Sequence, residues 1–212
     1  MQEIRNDEKM IDKFCAFLTN KIRKEMPEID DERAEVIMFG LQVIIGELPK
    51  GIIILTLAYI LGIFELTVIS MLIIAPYRSV SGGIHVNTHI GCIISTALLY
   101  CGPVLCAQSI VLHGARKFII AFVIWIFSMI MIKLYAPADT ENIPILRKEE
   151  RRQKQFFSYL ILTVEFVIAL IISNPIISNI IIFGDLIQTL TITRLAYNLT
   201  KSKYGHEVYA NN

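Results

Sequence analysis

Charge is scarce in this chain. Lys, Arg, Asp and Glu make up 18% of its 212 residues, and their signs nearly cancel to a formal net charge of +1. That balance excludes the global basic signature of a nucleic-acid binder. The four cysteines, Cys15, Cys92, Cys101 and Cys106, contain no CxxC pair, and no structural disulfide is expected. Cys101 and Cys106 lie in an apolar block, where thiols pack as small hydrophobes. There is also no secretory signal: Arg5–Lys24 is amphipathic and charged, without a compact apolar core and a small-residue cleavage site. The first span must then act as its own insertion signal. Internal repeats and low-complexity tracts are absent.

Apolar residues fill the gap, at 54% of the chain. They collect in six blocks: Gly51–Phe64, Leu66–Tyr77, Ile90–Leu112, Phe118–Tyr135, Phe156–Ser173 and Ile176–Ile192. A membrane helix needs about 20 mostly apolar residues. Six such blocks in so short a chain leave no polar shell to cover them as buried soluble helices. The sequence therefore predicts an all-α, polytopic integral membrane protein, taken as a single domain over residues 1–212.

At the N-terminus, Ile11, Phe14, Phe17, Leu18 and Ile22 recur at helical spacing, opposite a basic face. This predicts an amphipathic helix lying at the interface within the segment 1–35. Met26-Pro27 ends it, and Asp30 or Asp31 can cap the next helix. Segment 76–92 is polar and glycine-rich at its start, and 136–155 reads as a long polar loop carrying the basic cluster Arg147–Lys154. Counting from a cytoplasmic N-terminus, six crossings put segment 76–91, the basic loop and the C-terminus on the cytoplasmic side, as basic residues near spans favour. Leu66–Ala75 is short for a span, so four crossings with a re-entrant pair is the alternative.

The residues that suggest chemistry lie between the second and third blocks. His85 and Cys92 are seven apart; on an unbroken helix they share a face but sit about 10 Å apart along its axis. Gly82-Gly83 argues against a regular helix there. Asn87 or Thr88 can cap a helix starting just before Cys92, and helix N-termini and nearby imidazolium both stabilise a thiolate. A loop folding His85 back onto Cys92 would complete a nucleophile–base pair. The bland readings are a packing cysteine and a solvated histidine, and spacing alone does not decide between them. His85 and His89 lack the HExxH glutamate and a third ligand, so no metal is expected, nor any cofactor.

Two longer signatures carry more. Arg78-Ser-Val-Ser-Gly-Gly-Ile-His85, followed by Cys92 and Ser95, resembles the core of the accessory gene regulator B (AgrB) peptidases. Tyr135-Ala-Pro-Ala-Asp-Thr-Glu-Asn-Ile-Pro-Ile145, followed by the basic run from Arg147, resembles the same family's second signature, with Ile143 departing where a basic residue is expected. The resemblance covers most of the chain. It implies a cysteine endopeptidase of the bacterial plasma membrane that cuts the C-terminal tail from an AgrD-like propeptide. The cysteine keeps the remaining peptide as a thioester, and an internal Cys or Ser of that peptide attacks it, giving the thiolactone or lactone ring of a quorum-sensing autoinducer. His85 and Cys92 match the catalytic pair. Arg78, Gly82 and Gly83 match the lead-in and are candidates for holding substrate or oxyanion.

Other roles stay open at this level. Glu47, in an apolar stretch, can orient His85 or simply pair with Lys50 at i+3, and Glu165 and Asp185 share that ambiguity. Asp139, Arg147, Lys148, Arg151 and Arg152 are candidates for contacting the propeptide. Expected partners are that propeptide and the bilayer, with a homodimer open and no nucleic acid. The competing functions are a peptide exporter and a membrane scaffold without chemistry; the missing inverted repeat counts against the exporter.

Overall fold

A helix in lipid must satisfy every backbone group within itself, and the apolar blocks answer that demand. The computed structural model describes residues 2–26, 28–86, 88–110, 112–141 and 144–210, with side chains from residue 13 onward except 43, 47, 89 and 210. Among the described residues there are nine helices and no strand, with one isolated bridge between Gly82 and Ala138. The chain groups into two units, divided between Thr56 and Leu57.

The first unit holds α1 (Gln2–Glu25) and most of α2 (Asp31–Ile60). On α1, Phe14 and Phe17 are exposed, as an interfacial helix requires. Asp30 caps α2: its Oδ1 accepts from Arg33 N–H at 2.8 Å. Arg23 pairs with Asp31 at 2.7 Å across the turn. Helix α2 continues through Pro49, whose missing N–H removes one internal hydrogen bond and whose ring crowds the carbonyl four residues back.

The second unit holds α3 (Phe64–Ser81), α4 (His89–Ser109), α5 (Gly114–Tyr135), α6 (Lys148–Ile171), α7 (Pro175–Thr191), α8 (Arg194–Thr200) and α9 (Gly205–Ala210). Helix α7 packs against α3, α4, α5 and α6. It can do so because its buried side is built from Ser178, Asn179, Gly184, Asp185, Gln188 and Thr189 as well as isoleucines. Small and polar residues let backbones approach and supply interhelical hydrogen bonds where lipid gives no hydrophobic drive. The chain Tyr77 Oη–Thr189 Oγ1–Ser128 Oγ, at 3.0 and 2.8 Å, ties α3, α7 and α5 together. Trp125 of α5 stacks on Phe166 of α6 at 5.3 Å.

Helices α2 to α6 are each long and apolar enough to cross a membrane, and α7 with α8, bent by 66°, makes a sixth candidate. The multi-pass, all-α reading therefore stands. Two boundaries differ from the sequence reading. Helix α3 does not stop near Ala75 but runs through Pro76 to Ser81, reaching 18 residues, about 27 Å. Its last turns are held by tertiary partners, since Tyr77 and Ser81 are buried against α7. The basic run is likewise not loop: Lys148–Lys154 forms the first turns of α6, where Glu149 and Glu150 complement the helix dipole and Lys154 pairs with Glu150 at 3.1 Å.

Candidate active site

The ends of α3, α5 and α7 and the starts of α4 and α6 gather at one end of the second unit. Beyond Ser81, residues 82–86 and Thr88 lie outside the helices. Gly82 has φ +71° and ψ −150°, a conformation closed to side chains, and a Cβ there would stand 2.2 Å from Ala138 O. Gly83 has φ +145°, and its Cβ would stand 2.6 Å from Thr191 Oγ1. The two glycines thus let the first signature lie against both the second signature and α7. The contact is sealed by Gly83 N–H to Ala138 O (2.9 Å), Ala138 N–H to Ser81 O (2.8 Å) and Ile84 N–H to Thr191 O (3.1 Å).

The sequence reading made Gly82 and Gly83 candidates for donating to an oxyanion. Their N–H groups are already committed, Gly82 to Arg78 O at 2.9 Å and Gly83 to Ala138 O. Their visible role is close approach. Arg78 is also bound into the fold: Nη1 donates to Gln188 Oε1 (3.1 Å) and Thr191 Oγ1 (3.4 Å), and Nη2 to Ile84 O (3.0 Å). Gln188 Nε2 in turn donates to Ser81 Oγ and Gly82 O, at 2.9 and 2.8 Å. Arg78 and Gln188 therefore clamp the lead-in from both sides.

His85 is exposed, and its carbonyl accepts from Ser202 Oγ at 3.0 Å. Thr88 caps α4, accepting from Gly91 N–H at 3.2 Å. Gly91 is needed for this, because a Cβ would meet Thr88 Oγ1 at 2.5 Å. Cys92 follows in the first turn of α4, 9% exposed, as the cap argument expects. All four cysteines are free thiols. Asn87, Ile143 and the side chains of Glu47 and His89 lie outside the described residues. Glu165 and Asp185 are buried on α6 and α7.

Of the residues assigned to peptide contact, Asp139 and Arg151 are internal. The buried Asp139 carboxylate accepts from Ile145 N–H (3.0 Å) and His206 N–H (2.9 Å), meets His206 Nδ1 at 2.6 Å and pairs with Arg151 at 3.4 Å. Arg147, Lys148 and Arg152 are exposed. Residues 202–210 dock onto the second signature: Lys203 pairs with Glu141 at 3.4 Å, and Gly205 passes so near Thr140 O that a Cβ would stand 2.3 Å from it. Tyr204 stacks on Tyr197 at 3.9 Å, and burial pushes its phenol above the ordinary tyrosine range. Sequence reasoning missed Gln188, Thr191, Ser202 and His206. The first two are polar residues within an apolar block, which is a usable signal. Ser202 and His206 carry none.

Fold and site together define a multi-pass helical membrane protein that gathers a thiol, an imidazole and two polar signatures at one end of its bundle. The sequence profile of the Accessory gene regulator B family matches residues 15–192, and the chain belongs to that family. It is similar to accessory gene regulator protein B of Staphylococcus aureus strain MRSA252, 28% identical over 188 residues, covering 89% of this chain and 95% of that one. It is similar also to a putative AgrB-like protein of Listeria monocytogenes, 29% identical over 194 residues, covering 89% and 91%. No solved structure matches.

Proposed function

We propose that this protein is a cysteine endopeptidase that matures a propeptide of the AgrD type in accessory-gene-regulator quorum sensing. Family membership supports the quorum-sensing role. One observation carries the chemistry: Cys92 stands in the first turn of a Thr88-capped helix, directly after a non-helical lead-in that holds His85.

In the reaction, His85 accepts the Cys92 proton and the sulfur attacks the scissile carbonyl. The oxyanion is held by the backbone N–H groups of His89 and Ile90 at the start of α4, since those of Gly91 and Cys92 go to Thr88 Oγ1 and Thr88 O. Collapse breaks the C–N bond, His85 returns the proton to the leaving amine, and the truncated peptide stays as a thioester. An internal Cys or Ser of that peptide then attacks the thioester carbon, closing the ring and releasing Cys92. Ring closure outruns hydrolysis because the internal nucleophile is held at high effective concentration in a site poor in water. Cys92 and its lead-in face the cytoplasm, as do both termini.

The test is cleavage of propeptide by Cys92→Ala, His85→Ala and their double mutant. Each single change should remove at least about 10³ of the rate, with the double no worse, since members of one unit are non-additive. Acid quenching of wild type should trap a hydroxylamine-sensitive adduct on Cys92. Robust cleavage by Cys92→Ala, or an adduct on Cys15, Cys101 or Cys106, sinks the assignment. For topology, a membrane-impermeant thiol reagent should label Cys92 in inverted vesicles and not in intact cells; the reverse pattern overturns it.

A further inference from the structure

The imidazole of His85 stands where its backbone puts it, and that backbone is held from both sides. A peptide unit is planar, so a bond to its carbonyl restrains the whole unit. On the N-terminal side, Ile84 N–H goes to Thr191 O at 3.1 Å and Ile84 O accepts from Arg78 Nη2 at 3.0 Å. On the C-terminal side, His85 O accepts from Ser202 Oγ at 3.0 Å. The first two bonds come from α7 and α3, inside the stretch that the family profile matches. Ser202 lies beyond it, since that match ends at Ile192.

Ser202 is itself fixed by the fold. Lys201, at φ +55°, ends α8 in a left-handed turn, and Ser202 N–H closes that turn on Tyr197 O at 3.0 Å. Tyr197 is buried, and its hydroxyl donates to Asp139 O at 2.9 Å. Beyond Ser202 the chain is tied down again. Tyr204 is buried, stacks on Tyr197 and donates through its hydroxyl to Ile192 O at 2.9 Å. His206 meets the buried Asp139 carboxylate through both its N–H and Nδ1. The half-buried Ser202 thus sits between two anchors and reaches across 117 residues of sequence to the carbonyl of His85. A bond this close to water adds little to stability. Its effect on the imidazole is larger, because a misplacement of about 1 Å at a reacting group can cost about 10²-fold in rate.

We infer that Ser202 is a positioning residue for His85, and that residues 202–206 form a C-terminal strap, docked on the second signature, which sets the place of the imidazole relative to the Cys92 thiol. The inference rests on His85 being the base for Cys92. It gives a role to tail residues that neither signature contains. It also gives one to Asp139, whose carboxylate is spent on His206: Asp139 acts on the chemistry by latching the strap, not by touching peptide.

The test is steady-state cleavage of an AgrD-type propeptide by the full chain in nanodiscs, with residual rates followed by mass spectrometry of the released tail. Ser202→Ala should lower kcat about ten- to 10²-fold and leave KM within about two-fold. Ser202→Thr, which keeps the hydroxyl, should recover most of that loss. The unfolding midpoint of Ser202→Ala should stay within about 4 °C of the parent. In a His85→Ala background, Ser202→Ala should remove nothing further, because a residue that acts through His85 then has nothing to act on. Parent-level kcat in Ser202→Ala, where His85→Ala has lost cleavage, overturns the positioning role and leaves the peptidase reading intact. So does a loss carried by KM, a loss that Ser202→Thr does not recover, a larger fall in the midpoint, or an equal fold-loss in the His85→Ala background. Parent-level cleavage by His85→Ala overturns the base assignment, and the strap's role with it.

Discussion

The two ends of the second unit are closed in different ways. At one end the connections are short and mostly local. Gly62, at φ +69°, turns α2 into α3, and Asn174 caps its own helix by accepting from Ile176 and Ile177 N–H at 3.0 and 3.2 Å. Among the described residues, Asn179 Nδ2 to Ile110 O at 3.1 Å and Ser178 Oγ to Ala169 O at 2.7 Å cross between elements there. At the other end nearly every closure is distant in sequence: Gly83 to Ala138, Ile84 to Thr191, Arg78 to Gln188 and Asp139 to His206. The first end needs only to reverse the chain. The second must hold a lead-in, a helix start and a loop in one arrangement, and only bonds between separate elements can fix that.

Paired substitutions at the two ends can break this contrast. The largest effect is expected from Asp139→Ala. It takes the carboxylate from Arg151, which keeps only Pro137 O and Ile145 O, and leaves the part-buried N–H groups of Ile145 and His206 without their acceptor; it should cost about 3–5 kcal/mol, read as a large drop in unfolding midpoint of the solubilised protein. The matching change at the local end, Asn174→Ala, removes one cap and should cost about 1 kcal/mol. Equal losses would mean the signature end is not the more interdependent one.

Glycines give a second pair. Gly82→Ala forces a side chain into a closed conformation and against Ala138 O, and should cost about 3 kcal/mol with cleavage lost. Gly62→Ala has a similar positive φ but nothing within 4 Å of the new Cβ. It should cost about 1 kcal/mol, the bare left-handed penalty, and leave cleavage near wild type. Gln188→Ala comes next, at about 1–2 kcal/mol in stability, since interhelical hydrogen bonds in membranes are individually modest. Its sharper readout is turnover, which should fall more than stability as the clamp on Arg78 loosens.

The smallest effect is expected at the surface. Neutralising Arg147, Lys148 and Arg152 together should weaken binding of an acidic propeptide tail a few-fold at low salt and less at high salt, because exposed charges are screened within about 10 Å at 0.1 M. Binding unchanged at low salt would leave these residues only a topological role.

Much of this was legible in the residues themselves. The apolar blocks marked the spans. Asp30 or Asp31 and Asn87 or Thr88 marked helix starts, of which Asp30 and Thr88 are the caps, and Gly82-Gly83 marked the break before His85. These are local facts, set by propensity, capping and hydropathy over a few neighbours. The end of α3 was misplaced because Pro76 reads as a breaker. Tyr77 and Ser81, bonded to Thr189 and Gln188 more than a hundred residues away, carry the helix past it. The start of α6 was misplaced because a run of charge reads as loop, although its acids sit where a helix dipole accepts them.

What the sequence determined by itself is therefore the all-α, multi-pass membrane fold, since it follows from the transfer energy and backbone preference of nearby residues. What only the tertiary structure decided is which groups are left to act. Asp139 and Arg151 read as peptide contacts but are held by each other, by Ile145 and by His206. The glycine N–H groups that looked ready for an oxyanion are given to carbonyls. A buried polar group takes whatever partner the packing supplies, and that partner, 67 residues away in the case of Asp139 and His206, is written nowhere in the local pattern.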